Sequence, residues 1–500
     1  VYTYYEPNKK KSKEILDEEQ RLLLQWRKAW WAQGFKPIVL GRGDALNNPL
    51  YAKVQMLRLE DNIEEELERW LAWANMGSGI LADTRLFPMA KYDNSLLSFL
   101  RRGSYPQMTR YQGLKAGLFC GDKTATTSFI EKAIAHPELK KALNFANPMF
   151  TDMFRIESGQ DGVAYYDSET LSKLYQPVAD PLLGDGELKG LQLLGDLINF
   201  HLQTTWQSAF VEVAVLKPLP KFTTTLVRPA LQLAGNLTAC PPVDTALLGT
   251  CPPNRPKCKK CMSTTPIPIT TPGAIRNKTD KFYIGTVPHP YTTTALLQTK
   301  ERLDATVRRQ GFKDRDAYLT AVTADSLAGS NEARLAILKS TVAGDWAAPR
   351  TFWYTAEQQE DDDGIVGPDP DELPWLFGFR LPHSGADARV AAESVTPVPG
   401  PERRPPPPEE KEEGRAPVAD NRLETELRVL ASARRAVAAT SVEVVRRREA
   451  VEMWNLGDIE AWRFVKAFGV RRKMVRLNWE KEESKFAGAE RKGGWGRWLD

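Results

Sequence analysis

The stretch "GSGILADTRLFPM", residues 77–89, decides how the first third of the chain is read. Glycines lead into the aliphatic Ile80, Leu81 and Ala82, the run meets Asp83, Thr84 and Arg85, and it closes on Phe87 and Pro88. A short apolar run bounded by turn signals has the character of a buried strand. Just upstream, residues 62–73 place Leu67, Trp70 and Leu71 at helical spacing, so an amphipathic helix delivers the chain into that strand. A carboxylate such as Asp83 would then sit at a strand's carboxyl end, where open α/β sheets hold their ligands.

Further out, the alternation continues. "YTYYEP" (residues 2–7) is a short aromatic strand stopped by Pro7. "SKEILDEEQRLLLQWRKAWWAQG" (residues 12–34) puts Ile15, Leu22, Trp26, Ala29 and Trp30 on one helical face, with Gly34 as the stop. "KPIVLG" (residues 36–41) is a second strand. Strand, helix, strand, helix, strand predicts an α/β fold with a parallel or mixed sheet. "YQGLKAGLFCGDK" (residues 111–123) reads as strand and turn, "TSFIEKAIAH" (residues 127–136) as helix, "GVAYYDSETLSKLY" (residues 162–175) as strand then helix, and residues 187–210 as a long helix.

Beyond that point the character changes. Residues 217–286 are rich in Pro, Thr and Cys and read as a loop-rich insertion, after which "KFYIGTVPHPY" (residues 281–291) returns to strand character. Residues 292–342 read as helical, "PWLFGFRLPH" (residues 374–383) as the last packed element, and residues 397–417 as a Pro-rich linker without enough apolar surface to fold. The expected units are residues 1–215, an insertion at 216–290 that returns to the core, a helical extension at 291–385 packed on that core, a linker at 386–419 and a charged helical tail at 420–500. The tail holds 18 Lys/Arg against 13 Asp/Glu, interleaved as on a solvated helix, and Val451, Trp454, Ile459, Trp462, Val465 and Phe468 form a stripe that could dock a protein partner.

Five hundred residues exceed one ordinary core, and 42% hydrophobic with 26% charged residues is the make-up of a globular protein. A net charge of +4 gives no case for nucleic acid or an anionic membrane as partner. No apolar run is long enough for a transmembrane helix. The chain opens at Val1, almost directly on its first strand, so an upstream segment such as a signal anchor is expected to be missing from it, and that anchor is the one expected tie to a membrane.

Cys120 stands alone, whereas Cys240, Cys251, Cys258 and Cys261 crowd into "CPPVDTALLGTCPPNRPKCKKC". The C-x-x-C spacing of Cys258 and Cys261 suits two thiolates on one tetrahedral zinc. The looser Cys240 and Cys251 suit a pair of disulfides better, in an oxidising compartment. Both chemistries stay open, with disulfides favoured, and either role is structural. Among the histidines, His289 lies between prolines at a strand end, and His201 lies within the long helix. Asp122, Asp167 and Glu169 are further carboxylates at strand ends that could face a substrate, although turns favour Asp as well.

"RWLAWANMGSGILADTRLFP" (residues 69–88) resembles the DXD region of fungal GT-A-type sugar transferases, the family of initiation-specific α-1,6-mannosyltransferases. Arg69, Gly77, Gly79, Ile80, Leu81 and Asp83 occupy the matching places, and the layout of residues 1–215 is similar to a nucleotide-diphospho-sugar transferase. The resemblance implies transfer of a hexose, mannose from GDP-mannose above all, to a glycan or glycoconjugate in the Golgi or another secretory lumen. Asp83 would hold the donor, Tyr4 and Tyr5 would lie near the base, and a divalent cation (Mn²⁺ or Mg²⁺) would bridge the diphosphate to Asp83, with His289 as a late ligand.

The chain departs from the pattern at Arg85, which stands where the second Asp belongs. A metal ligand is replaced by a cation. Arg85 could then pair with the diphosphate and take the metal's place, Asp83 could hold metal with His289, or the fold could persist as a binding or scaffold module. The plain alternative is a strand-end charge pair, and a zinc-stabilised intracellular interaction protein is a further class.

Overall fold

The computed structural model describes residues 1–8, 10–105, 107–142, 144–216, 227–261, 266–271, 278–287, 350–355, 373–381, 440–442, 474–476 and 478–479. It is a mixed α/β structure with a mixed sheet at its centre.

Strand β1 (Tyr2–Tyr4) leads to helix α1 (Lys13–Ala32) and strand β2 (Ile38–Leu40). The Ser12 hydroxyl accepts from the Ile15 amide to start α1, and Gly34, at φ +84°, ends it in the left-handed conformation that the expected stop requires. Short helices α2 (Arg42–Leu46) and α3 (Tyr51–Met56) precede α4 (Asp61–Met76), which runs into β3 (Gly79–Ala82). There the opening stretch breaks. The Asp83 carboxylate accepts from the Arg85 amide, and the chain turns into β4 (Leu86–Pro88), which leaves the sheet.

Helix α5 (Ser95–Arg101), the strands β5 (Thr109–Tyr111) and β6 (Leu118–Gly121), helix α6 (Lys123–Ala135), and strands β7 (Arg155–Glu157) and β8 (Val163–Tyr165) complete the first sheet and its partner. The six-stranded order is β2-β1-β3-β6-β5-β7, with β1, β2 and β3 parallel and β6 antiparallel to β3. Strands β4 and β8 pair antiparallel, Leu86 opposite Tyr165.

The alternation of β3 explains how the helices sit. Ile80 and Ala82 share a core with Trp26 and Trp30 of α1, whereas Leu81 shares one with Leu67 and Trp70 of α4. Helices α1 and α4 therefore cover opposite faces, and the connections diverge at β1. Asp83 lies at the carboxyl ends of β1 and β3 beside that switch point, the place where open α/β sheets hold their ligands.

Helices α7 (Ser168–Leu174), α8 (Gln176–Leu183) and α9 (Glu187–Gln207) follow, then β9 (Glu212–Leu216). The region read as loop-rich holds a helix, α10 (Val227–Thr238). Ala230, Leu233, Ala234 and Leu237 are buried along one face of it, a helical spacing masked in composition by the Pro and Thr around it. Strands β10 (Ile269–Thr270), β11 (Lys281–Val287) and β12 (Thr351–Thr355) join β9 in a second, wholly parallel sheet of order β10-β9-β11-β12. The expected strand at residue 281 is β11. Strand β12 has no counterpart in the sequence reading.

Helix α11 (Leu373–Phe377) packs on α1, in the stretch read as the last packed element. Trp479 from the tail is buried there, 5.1 Å from the Trp31 ring, with the Arg27 guanidinium 5.0 Å over its face. The expected linker, the helical segment 292–342 and the tail's apolar stripe lie outside the described residues. Among the described residues no helix is long and apolar enough to cross a membrane.

Candidate functional site

Three hydrogen bonds, two of them backbone to backbone, fix the turn at Asp83. Its amide donates to the Gly117 carbonyl at 2.9 Å, its carbonyl accepts from Leu86 at 3.1 Å, and Oδ1 accepts from the Arg85 amide at 2.8 Å. The Arg85 carbonyl accepts from the Tyr166 amide at 3.1 Å, which ties the turn to the end of β8. Arg85 is half-buried, and its guanidinium makes no hydrogen bond or ion pair among the described residues.

Tyr165 stands at the centre of this cluster. Burial raises its phenol pKa, and the Asp83 charge raises it further; Arg69, Asp167 and Arg85 act on the same hydroxyl. The phenol therefore stays protonated, and its hydroxyl has no hydrogen bond among the described residues. Its ring is seated by a close approach: a Cβ at Gly117 would lie 2.9 Å from both the ring and the Leu114 carbonyl. Arg69 reaches in from α4, donating to the Ala116 carbonyl and pairing with Glu66 at 3.2 Å.

Lys115, at φ +48°, closes one side by gripping Asp167 and Glu169. Burial pushes the Asp167 carboxyl up, but hydrogen bonds from Lys115 and Thr170 outweigh it and the net shift is down. Hydrogen bonds from Lys115 and Lys173 pull Glu169 down to about 2.

On the β1 side, the Tyr4 hydroxyl donates to Glu68 at 3.0 Å, and Tyr51 and Arg42 engage the same carboxylate at 3.1 and 3.2 Å. Tyr5 donates to Glu19 at 3.0 Å. Both phenols are pushed up, first by burial and then by those carboxylates. Their hydroxyls are committed, so only their rings could meet a base.

Across residues 1–500 the sequence matches the family described as "Domain of unknown function (DUF8765)". The chain belongs to that family. No curated protein and no solved structure matches it.

Other expected site residues of this DUF8765 chain lie elsewhere. Asp122 caps α6 by accepting from the Ala125 amide at 2.7 Å. It follows the antiparallel β6, whose Gly121 is opposite Gly79, so it sits at the far edge of the sheet from Asp83. Asp167 is also a helix cap, on α7, but one that the β8 pairing brings to the Asp83 turn. His201 is a core histidine, with Nδ1 2.7 Å from the Tyr166 hydroxyl and Nε2 3.0 Å from Thr250 Oγ1, and burial lowers its pKa to about 3. His289 lies outside the described residues.

The four clustered cysteines form nested disulfides, Cys240–Cys261 around Cys251–Cys258. The C-x-x-C pair is thus split between two bridges. Asn254, inside the inner loop, donates to the Met89 and Asp161 carbonyls at 3.0 and 2.8 Å and pins the loop beside β4. Cys120 is a buried free thiol, its pKa raised by burial.

Among the described residues no group of three or more His, Cys, Asp or Glu is placed to hold a metal ion. The sequence reading picked Asp83, Arg85, Asp167 and Glu169; the charges of the first three act on the Tyr165 hydroxyl, whereas Glu169 meets Lys115 and Lys173. That reading missed Tyr165 and Lys115. Tyr165 was within the quoted stretch, but a strand-end phenol carries no motif. The role of Lys115 follows from its turn, which a sequence does not display.

Proposed function

We propose that this DUF8765 chain is a glycosyltransferase of GT-A type that moves a hexose, mannose foremost, from a nucleotide-diphosphate sugar to a glycan or glycoconjugate. The supporting features are the resemblance of residues 69–88 to the DXD region, the place of Asp83 beside the switch point and, above all, the Arg85 guanidinium. Carried by a half-buried residue two positions after Asp83 and without a partner among the described residues, it matches what a diphosphate needs. Arginine can grip two phosphate oxygens at once, and negative charge grows on the diphosphate as its bond to the sugar breaks. Asp83 Oδ2 would accept from a ribose or sugar hydroxyl, and the protonated Tyr165 would donate to a donor oxygen.

A divalent cation does not fit the described residues. Such ions take about six or more oxygen ligands, whereas Asp83 has Oδ1 engaged in its turn and a guanidinium two residues on. Two disulfides suit a secretory lumen, which belongs to the same proposal, and they use up the four thiolates that the zinc alternative needs.

One observation favours a second reading, a transferase fold used for binding without catalysis. Asp167 is held by Lys115 and its cap, and Glu169 by two lysines, which leaves neither placed as a general base.

Thermal-shift titration with GDP, UDP, GDP-mannose and UDP-glucose, each with and without Mn²⁺, tests the proposal. A ligand at a hundred times its Kd stabilises the fold by about 2.7 kcal/mol. The expected result is a metal-independent shift that disappears in Arg85→Ala and shrinks in Asp83→Ala. A shift without turnover on any acceptor supports the binding reading, and no shift with any nucleotide overturns both.

A further inference from the structure

We infer that Asn254 is a positioning residue for the Asp83 turn, acting on it from the opposite end of the β4–β8 pair. The inference rests on the reading of that turn as a donor site only for what the turn binds.

A ribbon of two strands is marginal by itself, and β4 and β8 have no third strand among the described residues. Leu86, Phe87 and Pro88 lie opposite Tyr165, Ala164 and Val163, so one end of the ribbon carries the Asp83 turn, Arg85 and Tyr165. A slip of one residue in this pairing would turn Tyr165 to the other face. Trp30 donates to the Leu86 carbonyl at 3.1 Å, which fixes β4 but not its register against β8. At the open end Pro88 has no N–H to give, and the ladder closes on the Met89 amide, which donates to the Gly162 carbonyl at 3.0 Å. Asn254 completes that end. Its side-chain nitrogen donates to the Met89 carbonyl on the β4 side and to the Asp161 carbonyl on the β8 side, at 3.0 and 2.8 Å. Both protons of one amide group bridge the two strands.

The loop that carries Asn254 is held rigidly. Residues 251–258 read "CPPNRPKC": the Cys251–Cys258 disulfide closes them, the prolines fix φ at 252, 253 and 256, and the Arg255 amide donates to the Pro252 carbonyl at 2.9 Å. The Arg255 guanidinium donates to Ser208 Oγ at 3.0 Å, and the Tyr175 hydroxyl donates to the Cys251 carbonyl. Ser208 caps α9, and Tyr175 lies where α7 meets α8, so the loop takes its place from those helices. The three residues of β4 put about 10 Å between Met89 and the Asp83 turn. Asn254 therefore meets no ligand there. It acts through the register of the ribbon, and a bidentate grip on phosphate depends on direction, so a small displacement costs affinity.

Asn254→Asp tests this, since it keeps the size of the side chain, removes both donors and sets a carboxylate against two carbonyl oxygens. The double variant Cys251→Ser, Cys258→Ser opens the loop and leaves Asn254 in the chain. Amide hydrogen exchange on the full chain, read in peptides covering residues 83–87 and 164–167, reports on the site end, with β1 and β3 as reference. In both variants exchange at the site end should quicken about tenfold while β1 and β3 keep wild-type protection, and the Kd for whichever of GDP and UDP the wild type binds should rise about tenfold. Unchanged exchange at the site end in both variants overturns the inference. Equal quickening in β1 and β3 overturns it too, because the loop would then be a general staple, as does an unchanged Kd. If the wild type binds neither nucleotide, the donor reading fails, and the exchange measurement still decides whether Asn254 positions the turn.

Discussion

Burial holds His201 neutral between the Tyr166 and Thr250 hydroxyls, with a pKa of about 3. The unfolded chain binds a proton on this side chain below about 6.5, where the native state does not. Stability from His201 is thus fully present above that pH and declines as pH falls toward the folded value, by about 2 kcal/mol at pH 5. Urea midpoints at pH 7 and pH 5 should fall more steeply for wild type than for His201→Gln, and equal slopes would contradict the assignment. Gly117 gives a second test at this scale. In Gly117→Ala the new methyl would lie 2.9 Å from the Tyr165 ring and the Leu114 carbonyl, so a loss of about 1–3 kcal/mol is expected. Because that strain displaces Tyr165, nucleotide binding should weaken as well; full affinity in a destabilised variant would remove Tyr165 from the site. Asp83 was legible in sequence because a carboxylate ending an aliphatic run is a recognisable signal. Tyr165 was not, since its position depends on the β4–β8 pairing and on a glycine 48 residues earlier.

At the scale of elements, legibility followed local encoding. Helices α1, α4 and α9 each carry enough turns of periodic apolar residues to declare themselves, and Ser12 and Gly34 mark the ends of α1. Strand β12 reads "TFWYT", aromatic and β-branched, but its partner β11 is remote in sequence and no turn signal joins them. The cysteine-rich segment shows the same limit: residue types gave the disulfide chemistry but not the nested pairing. That pairing has a measurable order. Cys240–Cys261 spans 21 residues and Cys251–Cys258 spans 7, so the outer bridge restricts the unfolded chain more, by about 3.4 against 2.5 kcal/mol in the chain-entropy account. Replacing the outer pair by alanine should therefore lower the melting temperature more than replacing the inner pair. The reverse order would mean that the inner loop's anchorage through Asn254 outweighs closure entropy.

For the whole molecule, one apolar core crosses the boundary expected at residue 215. Val213 and Val215 of β9, Phe282 and Ile284 of β11, Phe352 of β12 and Phe377 of α11 pack in the same cluster as Trp30, Ile80 and Leu118 of the first sheet. Composition shifts place a boundary at residue 215, followed by an insertion that returns to the core, because the change to Pro, Thr and Cys is abrupt. Contiguous packing argues for cooperation between the sheets, since removing one strips apolar contact from the other. A chain ending at residue 215 would lose β11, β12 and α11 and uncover Trp206, whose ring packs 4.9 Å from Phe282 and 5.8 Å from Phe377. Exposed aromatic surface of that kind favours association over a stable fold. The expected outcome is a single thermal transition for the full chain, with the 1–215 fragment melting lower or aggregating and binding an apolar dye. If the fragment instead melted cooperatively at the full-chain temperature, the two sheets would be energetically separate and the shared core would contribute contact without coupling.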